Sequence, residues 1–313
     1  GKGMRKTLRK GEGDMNLLIT GAWQQADAYL KQIQQMGHQT CFLQYEKETL
    51  PCDYDWVEGI IGNGIFLTHP IEKFANLKYI QLTSAGFDRV PMEEVKRRGI
   101  RIYNARGVYS APMAEYAVAG VLSLYKKQRF FWEKQRDHVW EKKRDLKELG
   151  GRKICILGCG SVGAACAVRF QAFGCMVEGI DIAVKTHESF SRIYPLEDIK
   201  EVLAQADIVI VTLPLTDETR HMFDKEMFYA MKPDSVIVNI ARGALIDTEA
   251  LIDALKDKLY GAVLDVFEEE PLGESPLWEM ENVIITPHNS FVGNCNGERM
   301  SKIIIENLEK CCI

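Results

Sequence analysis

The sequence predicts an α/β protein built from two doubly wound parallel-sheet domains, and three observations carry that reading. Short apolar, β-rich runs alternate with helical patterns twice over, once in residues 15–108 and again from 152 to about 289. A length of 313 residues suits two domains, each able to bury its own core. Between the two blocks lie two helical stretches and then Gly150-Gly151, which punctuates the chain.

In the first block, strands are expected at 16–20, 40–43, 59–62, 77–82 and 100–104. Helical patterns cover 26–36, a short piece near 71–74, and 92–98. Strands alternating with helices imply a parallel sheet covered on both faces. Residues 111–125 form an alanine-rich helix with Pro112 in its first turn, where a missing N–H is tolerated. Residues 129–149 read as a second, highly charged helix, with Phe130, Phe131 and Trp140 as its buried points. The second block places strands at 153–157, 175–180, 207–211, 235–240, 261–266 and 282–286. An amphipathic helix over 298–310 closes the chain, with Met300, Ile303, Ile304 and Leu308 on its apolar side.

Composition narrows the class. With 46% hydrophobic and 27% charged residues, this is an ordinary globular composition. The net charge of −5, without a basic stripe, argues against a nucleic-acid or anionic-membrane partner. A small anionic substrate needs only one local cation and stays open. Nine cysteines form no C-x-x-C pair, and several sit inside apolar patterns as small hydrophobes. That usage suggests a reducing compartment and a cytoplasmic location. The longest apolar run, 154–168, is too short to span a bilayer. Residues 1–14 are basic and lack an apolar core, so a tail is expected there and not a secretory signal.

Gly158, Gly160 and Gly163 follow a strand directly as G-x-G-x-x-G, with Ser161 and Val162 opening a small-residue helix. Such a turn lets backbone approach a pyrophosphate, whose charge meets the free N–H groups of the helix N-terminus. The next apolar run ends in Asp181, 18 residues past Gly163, the spacing of a carboxylate on an adenosine ribose. Ala164-Ala165 excludes a P-loop, and Cys159 stands where a hydrolase elbow needs glycine. Asp181 favours NAD over NADP, because its charge would repel a 2′-phosphate; Lys185 is the only cation close by. The alternative is a plain strand–helix turn with Asp181 as a solvated strand end.

Arg242, Glu270 and His288 follow three successive strand ends. In an open parallel sheet that places all three on the edge that carries the glycine turn. Histidine exchanges protons near neutral pH, and a carboxylate beside it favours the imidazolium. The planar fork of arginine matches a carboxylate, so it can anchor a 2-oxo or 2-hydroxy acid. Singly, each has a structural alternative: a solvated histidine, an acidic surface run over Glu268-Glu269-Glu270, and a strand-end ion pair at Arg242. No grouping of His, Cys and Asp has metal-ligand spacing, so no metal is expected.

The stretches 158–163, 212–216, 238–247, 261–271 and 275–288, together with Thr83-Ser84-Ala85-Gly86-Phe87-Asp88 and Ala114-Glu115, resemble the D-isomer-specific 2-hydroxyacid dehydrogenases. The likeness runs from about residue 58 to the end. It implies a flavodoxin-like substrate domain of 15–108 plus 290–313, with 109–289 inserted as a Rossmann NAD domain. It implies NADH-dependent, reversible reduction of a 2-oxo acid to a D-2-hydroxy acid. His288 would be the acid/base, Glu270 its partner and Arg242 the substrate anchor. Backbone N–H groups of Ser84, Ala85 and Gly86 would receive the substrate carboxylate. Asp265 would lie beside the nicotinamide, and Thr212, Pro214 and Ala241 beside the dinucleotide. A homodimer through the NAD domain is implied as well.

Three departures bear on the substrate. Asn289-Ser290-Phe291-Val292-Gly293 replaces a run of small residues, so Phe291 is expected to narrow the pocket mouth, near Phe66 and Trp278. Asn63-Gly64-Ile65-Phe66 lacks the basic residues of phosphoglycerate-type members, and the sequence ends at Ile313 without their regulatory domain. The last two favour a small, non-phosphorylated oxo acid. Two other readings remain. An NAD(H)-sensing interaction protein of the same fold would be expected to lose a catalytic residue. A formate-oxidising relative would carry glutamine in place of Glu270.

Overall fold

Alternation within the strands dictates a layered molecule. Leu17 and Ile19 face one apolar cluster while Leu18, between them, faces another; Ile154 and Ile156 likewise oppose Cys155 and Leu157. A strand buried on both sides must lie between two layers of helix. The computed structural model describes residues 13–311; residues 1–12, which hold most of the expected tail, and 312–313 lie outside the described residues. Two compact units result, one running up to Tyr109 and resumed from Gly293, the other Ser110–Val292.

The first unit contains β1 (Asn16–Thr20), α1 (Ala26–Gln35), β2 (Gln39–Leu43), β3 (Gly59–Gly62), β4 (Tyr79–Leu82), α2 (Met92–Arg97) and β5 (Arg101–Tyr103). Its parallel sheet has the order β2-β1-β3-β4-β5, the flavodoxin-like arrangement. The piece at Ile71–Lys73 is one turn of 3-10 helix. The second unit opens with α3 (Ser110–Tyr125) and α4 (Gln128–Arg136). There follow β6 (Lys153–Leu157), α5 (Ser161–Ala172), β7 (Met176–Ile180), β8 (Arg192–Tyr194), α6 (Ile199–Leu203), β9 (Ile208–Val211), α7 (Lys225–Ala230), β10 (Val236–Asn239), α8 (Thr248–Asp257), β11 (Gly261–Leu264) and β12 (Val283–Ile285). Its seven parallel strands run β12-β11-β10-β9-β6-β7-β8, a Rossmann order extended by one strand. The order reverses between β6 and β9, which puts the switch point beside the glycine turn.

The final helix, α9 (Asn296–Cys311), belongs to the first unit. Met300, Ile304 and Leu308 bury against Leu17, Ile19 and Ile33. Two buried polar ties fix its register: Trp23 Nε1 donates to Ser301 Oγ at 2.9 Å, and Asn307 Nδ2 to Gln81 Oε1 at 2.8 Å.

One expectation fails. The charged stretch 129–149 is not one helix, and Trp140, expected to be buried, is 96% exposed. Helix α4 stops in a Schellman arrangement: His138 takes a left-handed φ of 50–60° (φ 56), its N–H reaches Gln135 O, and Val139 N reaches Lys134 O at 2.9 Å. Beyond it, Glu141 to Glu148 offers a single apolar residue, Leu146, so no stripe exists to bury a continuing helix. Phe130 and Phe131 are half-buried. The sequence reading also passes over β8, a three-residue edge strand with Ile193 as its only buried side chain.

Loops at the carboxyl edge of the second sheet are tied together by Glu268. Its carboxylate pairs with His221 and accepts from the backbone and hydroxyl of Thr248, at the start of α8. Asp247, just before, caps that helix through the N–H groups of Glu249 and Ala250. Burial pushes the Glu268 carboxyl upward, but the hydrogen bonds from Thr248 and His221 outweigh it and hold the group below its ordinary value.

Two outcomes are expected. Ile304→Ala, which empties a fully buried position under α9, should cost about 3 kcal/mol in a urea-unfolding midpoint analysis. Because the folded pKa of Glu268 is depressed, its stabilisation is fully present above the unfolded carboxyl value of about 4.3 and is lost as pH falls through the lower folded value. Glu268→Gln should therefore melt below the parent at neutral pH, with the gap closing as pH falls below the unfolded carboxyl value.

Candidate active site

At the end of β6 the chain must turn within three residues to start α5. Gly158 does so with φ +97°, and a Cβ on Gly163 would stand 2.0 Å from Gly158 O, so only glycine lets helix and strand approach. Gly160 caps α5, whose first turn presents N–H groups without intrahelical partners, Val162 and Gly163 among them. Asp181, at the end of β7, accepts from Cys159 N at 2.7 Å through Oδ2 and from Ala183 N at 3.1 Å through Oδ1. Its carboxylate is thereby fixed to the glycine turn itself. Thr212, across the switch point just past β9, donates its hydroxyl to Gly158 O at 2.7 Å and Leu157 O at 2.9 Å. Pro214 is exposed just beyond, its carbonyl accepting from Thr219. A tight glycine bend, a helix N-terminus and a carboxylate at the neighbouring strand end suit a dinucleotide: the N–H groups suit the pyrophosphate, and Asp181 the ribose hydroxyls.

Three strands further along the same edge stand the reactive groups. Buried Asn239 folds the end of β10 back on itself, donating to Arg242 O at 2.9 Å and accepting from Ala241 N at 3.1 Å. Ala241 is buried, whereas Arg242 is exposed, with Nη1 on Ala241 O at 2.8 Å. Glu270 splits its carboxylate: Oε1 accepts from Phe267 N at 3.0 Å, and Oε2 lies 2.7 Å from His288 Nδ1. The triple acidic run thus divides, since Glu268 braces the loops and Glu270 meets the histidine. Phe291 stands edge-on to the imidazole, with centroids 6.3 Å apart. Trp278 is tied through Nε1 to Gly273 O at 2.8 Å. Phe66, in the other unit, packs edge-on against Phe74.

His288 itself has a left-handed φ of +50°. Asp265, wholly buried after β11, holds that turn: it accepts from Thr286 Oγ1 at 2.6 Å, Asn289 N at 2.7 Å and Ser290 N at 3.0 Å, while its carbonyl accepts from His288 N at 2.8 Å. Tyr116 of α3 meets Thr286 Oγ1 from the other side, and burial pushes its phenol up to about 12. Asn239, Thr286 and Tyr116 were not legible as site residues, because their partners are distant in sequence. Asp265 is placed as a brace beneath the histidine turn.

In the first unit, the loop after β4 carries Ser84, Ala85 and Gly86. Ser84 O accepts from Ala105 N at 2.8 Å, Ser84 Oγ donates to Gly86 O at 3.0 Å, and Asn104 Nδ2 donates to Ala85 O at 2.7 Å. Carbonyls are thus engaged, while the three backbone N–H groups donate to nothing among the described residues. Among the described residues no three His, Cys, Asp or Glu gather to hold a metal ion, and no helix is long and apolar enough to cross a membrane.

Comparison with known proteins places the fold. Residues 118–290 match the family described as "D-isomer specific 2-hydroxyacid dehydrogenase, NAD binding domain". The chain is 35% identical over 247 residues to the glyoxylate reductase of Pyrococcus furiosus, covering 76% of this chain and 73% of that protein. It is 34% identical over 256 residues to the D-3-phosphoglycerate dehydrogenase of Methanocaldococcus jannaschii, covering 80% of this chain and 49% of that longer protein. A solved D-isomer specific 2-hydroxyacid dehydrogenase family protein from Aeromonas salmonicida superposes with a TM-score of 0.80 at 30% identity, covering 96% of each chain. With the nucleotide fold, the glycine turn and these matches together, the chain belongs to the family of NAD-dependent D-isomer specific 2-hydroxyacid dehydrogenases.

Proposed function

We propose that this chain reversibly reduces a small 2-oxo acid to its D-2-hydroxy acid with NADH. The observation that carries the reading is the 2.7 Å contact between His288 Nδ1 and Glu270 Oε2, on the sheet edge that bears the glycine turn. With Nδ1–H held by the carboxylate, the imidazole keeps Nε2 to carry a proton to the substrate oxygen and to take it back in the reverse direction. Arg242 offers a planar fork to the substrate carboxylate and polarises the adjacent carbonyl. In the first unit, the open N–H groups of Ser84, Ala85 and Gly86 are suited to receive a substrate carboxylate. NADH, when bound, supplies the hydride. Gly158, Gly160, Ser161, Val162 and Gly163 hold the pyrophosphate, and Asp181 the ribose, which favours NAD over NADP. Thr212, Pro214, Ala241 and Asp265 shape the rest of the cofactor side. The free cysteines, several of them buried, support a reducing, cytoplasmic setting.

A panel of oxo acids assayed by loss of NADH absorbance tests this reading. Turnover of glyoxylate or a similarly small acid is expected, with NADPH the poorer donor and Asp181→Ala narrowing the difference. His288→Gln should lose on the order of 10³-fold in kcat/KM while still binding NADH. Unchanged turnover in that variant would show the acid/base assignment to be wrong. Tight NADH binding with no turnover of any acid would favour the sensor reading.

We also propose a homodimer formed through the arm that follows α3. Trp132, Val139, Trp140 and Leu146 are exposed along α4 and the segment after it, within one unit. An apolar patch interleaved with Lys134, Lys142 and Lys143 and with Glu141 and Asp145 suits a self-complementary, two-fold contact with a second copy. Sedimentation should give twice the chain mass at micromolar concentration, and Trp140→Ser should shift it towards the monomer with the far-UV spectrum unchanged. A monomeric parent protein would dispose of the idea.

A further inference from the structure

We propose that Glu46 determines substrate specificity, restricting the site to 2-oxo acids whose tail carries no second anionic group. This rests on the reading above, in which the carboxyl edge of the first sheet receives the substrate carboxylate. Strands β3 and β4 are neighbours, with Gly62 paired to Leu82, so the turn Asn63-Gly64 lies beside Thr83 and the open N–H groups that follow it. Thr83 N donates to Gly62 O at 3.0 Å, which locks the two turns side by side. Adjacent strands lie about 4.8 Å apart. The tail of an oxo acid held at Ser84–Gly86 therefore meets the turn at Asn63-Gly64.

That turn is already occupied by an anion. Glu46 Oε1 accepts from Asn63 N at 2.7 Å and from Thr20 Oγ1 at 2.8 Å, and Oε2 accepts from Gly64 N at 2.7 Å. Successive backbone N–H groups at a strand end are the usual cradle for a phosphate. Here a carboxylate of the chain's own fills them. Gly62 makes room for it: a Cβ there would stand 2.6 Å from Glu46 Oε1 and 3.1 Å from Thr20 Oγ1. Asn63 Oδ1, buried without a partner, adds a further acceptor. Glu46 makes no ion pair among the described residues; Arg89, whose Cδ lies 3.6 Å from where a Cβ on Gly64 would stand, is the cation that approaches the turn. The turn is thus rich in acceptors and lined by the Glu46 carboxylate, with Arg89 as the opposing charge nearby. A hydroxyl tail can donate to it, and a phosphate is repelled and finds its N–H groups taken.

The distinction matters because the matched relatives include both a glyoxylate reductase and a D-3-phosphoglycerate dehydrogenase. The test compares hydroxypyruvate with its 3-phosphate, in the full chain with NADH. Wild-type turnover of hydroxypyruvate tests the underlying reading; absence of turnover with every oxo acid overturns that reading and this inference with it. Glu46→Gln removes the charge and, with its oxygen kept on Asn63 N, leaves the Gly64 N–H facing an amide NH2 that cannot accept it. It should raise kcat/KM for the 3-phosphate relative to hydroxypyruvate by about tenfold, through KM with kcat unchanged, an effect that shrinks with added salt. An unchanged ratio, or equal loss of kcat for both acids, makes Glu46 merely structural and overturns the proposal. Should the variant fail to fold, the wild type decides. Its KM for the 3-phosphate should fall with ionic strength relative to that for hydroxypyruvate, and parallel salt dependences overturn the proposal.

Discussion

Both sheets are buried on both faces, and that constraint governs where chemistry can reside. Residues such as Ile60, Ile80, Ile156, Val209 and Ile237 have no contact with water, so their strands can carry no polar side chain midway without a partner. Polar groups collect where strands end. The glycine turn, Asp181, Thr212, Arg242, Asp265, Glu270 and His288 all belong to the carboxyl edge of one seven-stranded sheet, and Glu46, Asn63 and Ser84 to that of the other. The helices that bury the faces also supply the N-terminus at Ser161 that such an edge needs to receive an anion.

At that edge the side chains divide between those proposed to meet ligand and those that hold the backbone. Asp265 takes two backbone N–H groups and a hydroxyl, Asn239 folds a strand end back, and Thr212 pins Gly158. Each is buried or half-buried and fully engaged within the chain. Glu270 and His288, by contrast, are partly exposed. A brace that failed would leave the reactive groups present but misplaced, and misplacement by an ångström is enough to suppress a proton transfer.

Much of the fold could be read from letters because buried parallel strands are continuous apolar runs. The runs at 16–20, 59–62 and 153–157 coincide with the observed strands, and others differ by a residue or two at their ends. Charge density misled where it mattered. Residues 141–148 have helix-forming composition but only Leu146 to bury, and His138 supplies the left-handed residue that ends α4. Within the site, positions fixed by local spacing were legible: Gly158, Gly160, Gly163 and Asp181. The family resemblance singled out Glu270, whereas spacing alone does not separate it from Glu268, since their different partners, His288 and Thr248, are assigned by the fold. Glu46 was invisible for the same reason. It lies in an irregular stretch after β2, and the N–H groups it accepts belong to Asn63 and Gly64, beyond the next strand.

The backbone of His288 carries one more consequence. A residue with a Cβ at φ +50° sits about 1–2 kcal/mol above the conformation it would choose alone. Glycine would relieve that cost, and so would any rearrangement that freed the turn from Asp265. Selection for heat resistance alone would therefore drift towards losing this histidine, or loosening its turn. On the proposed acid/base role of His288, that cost is a local trade between stability and activity.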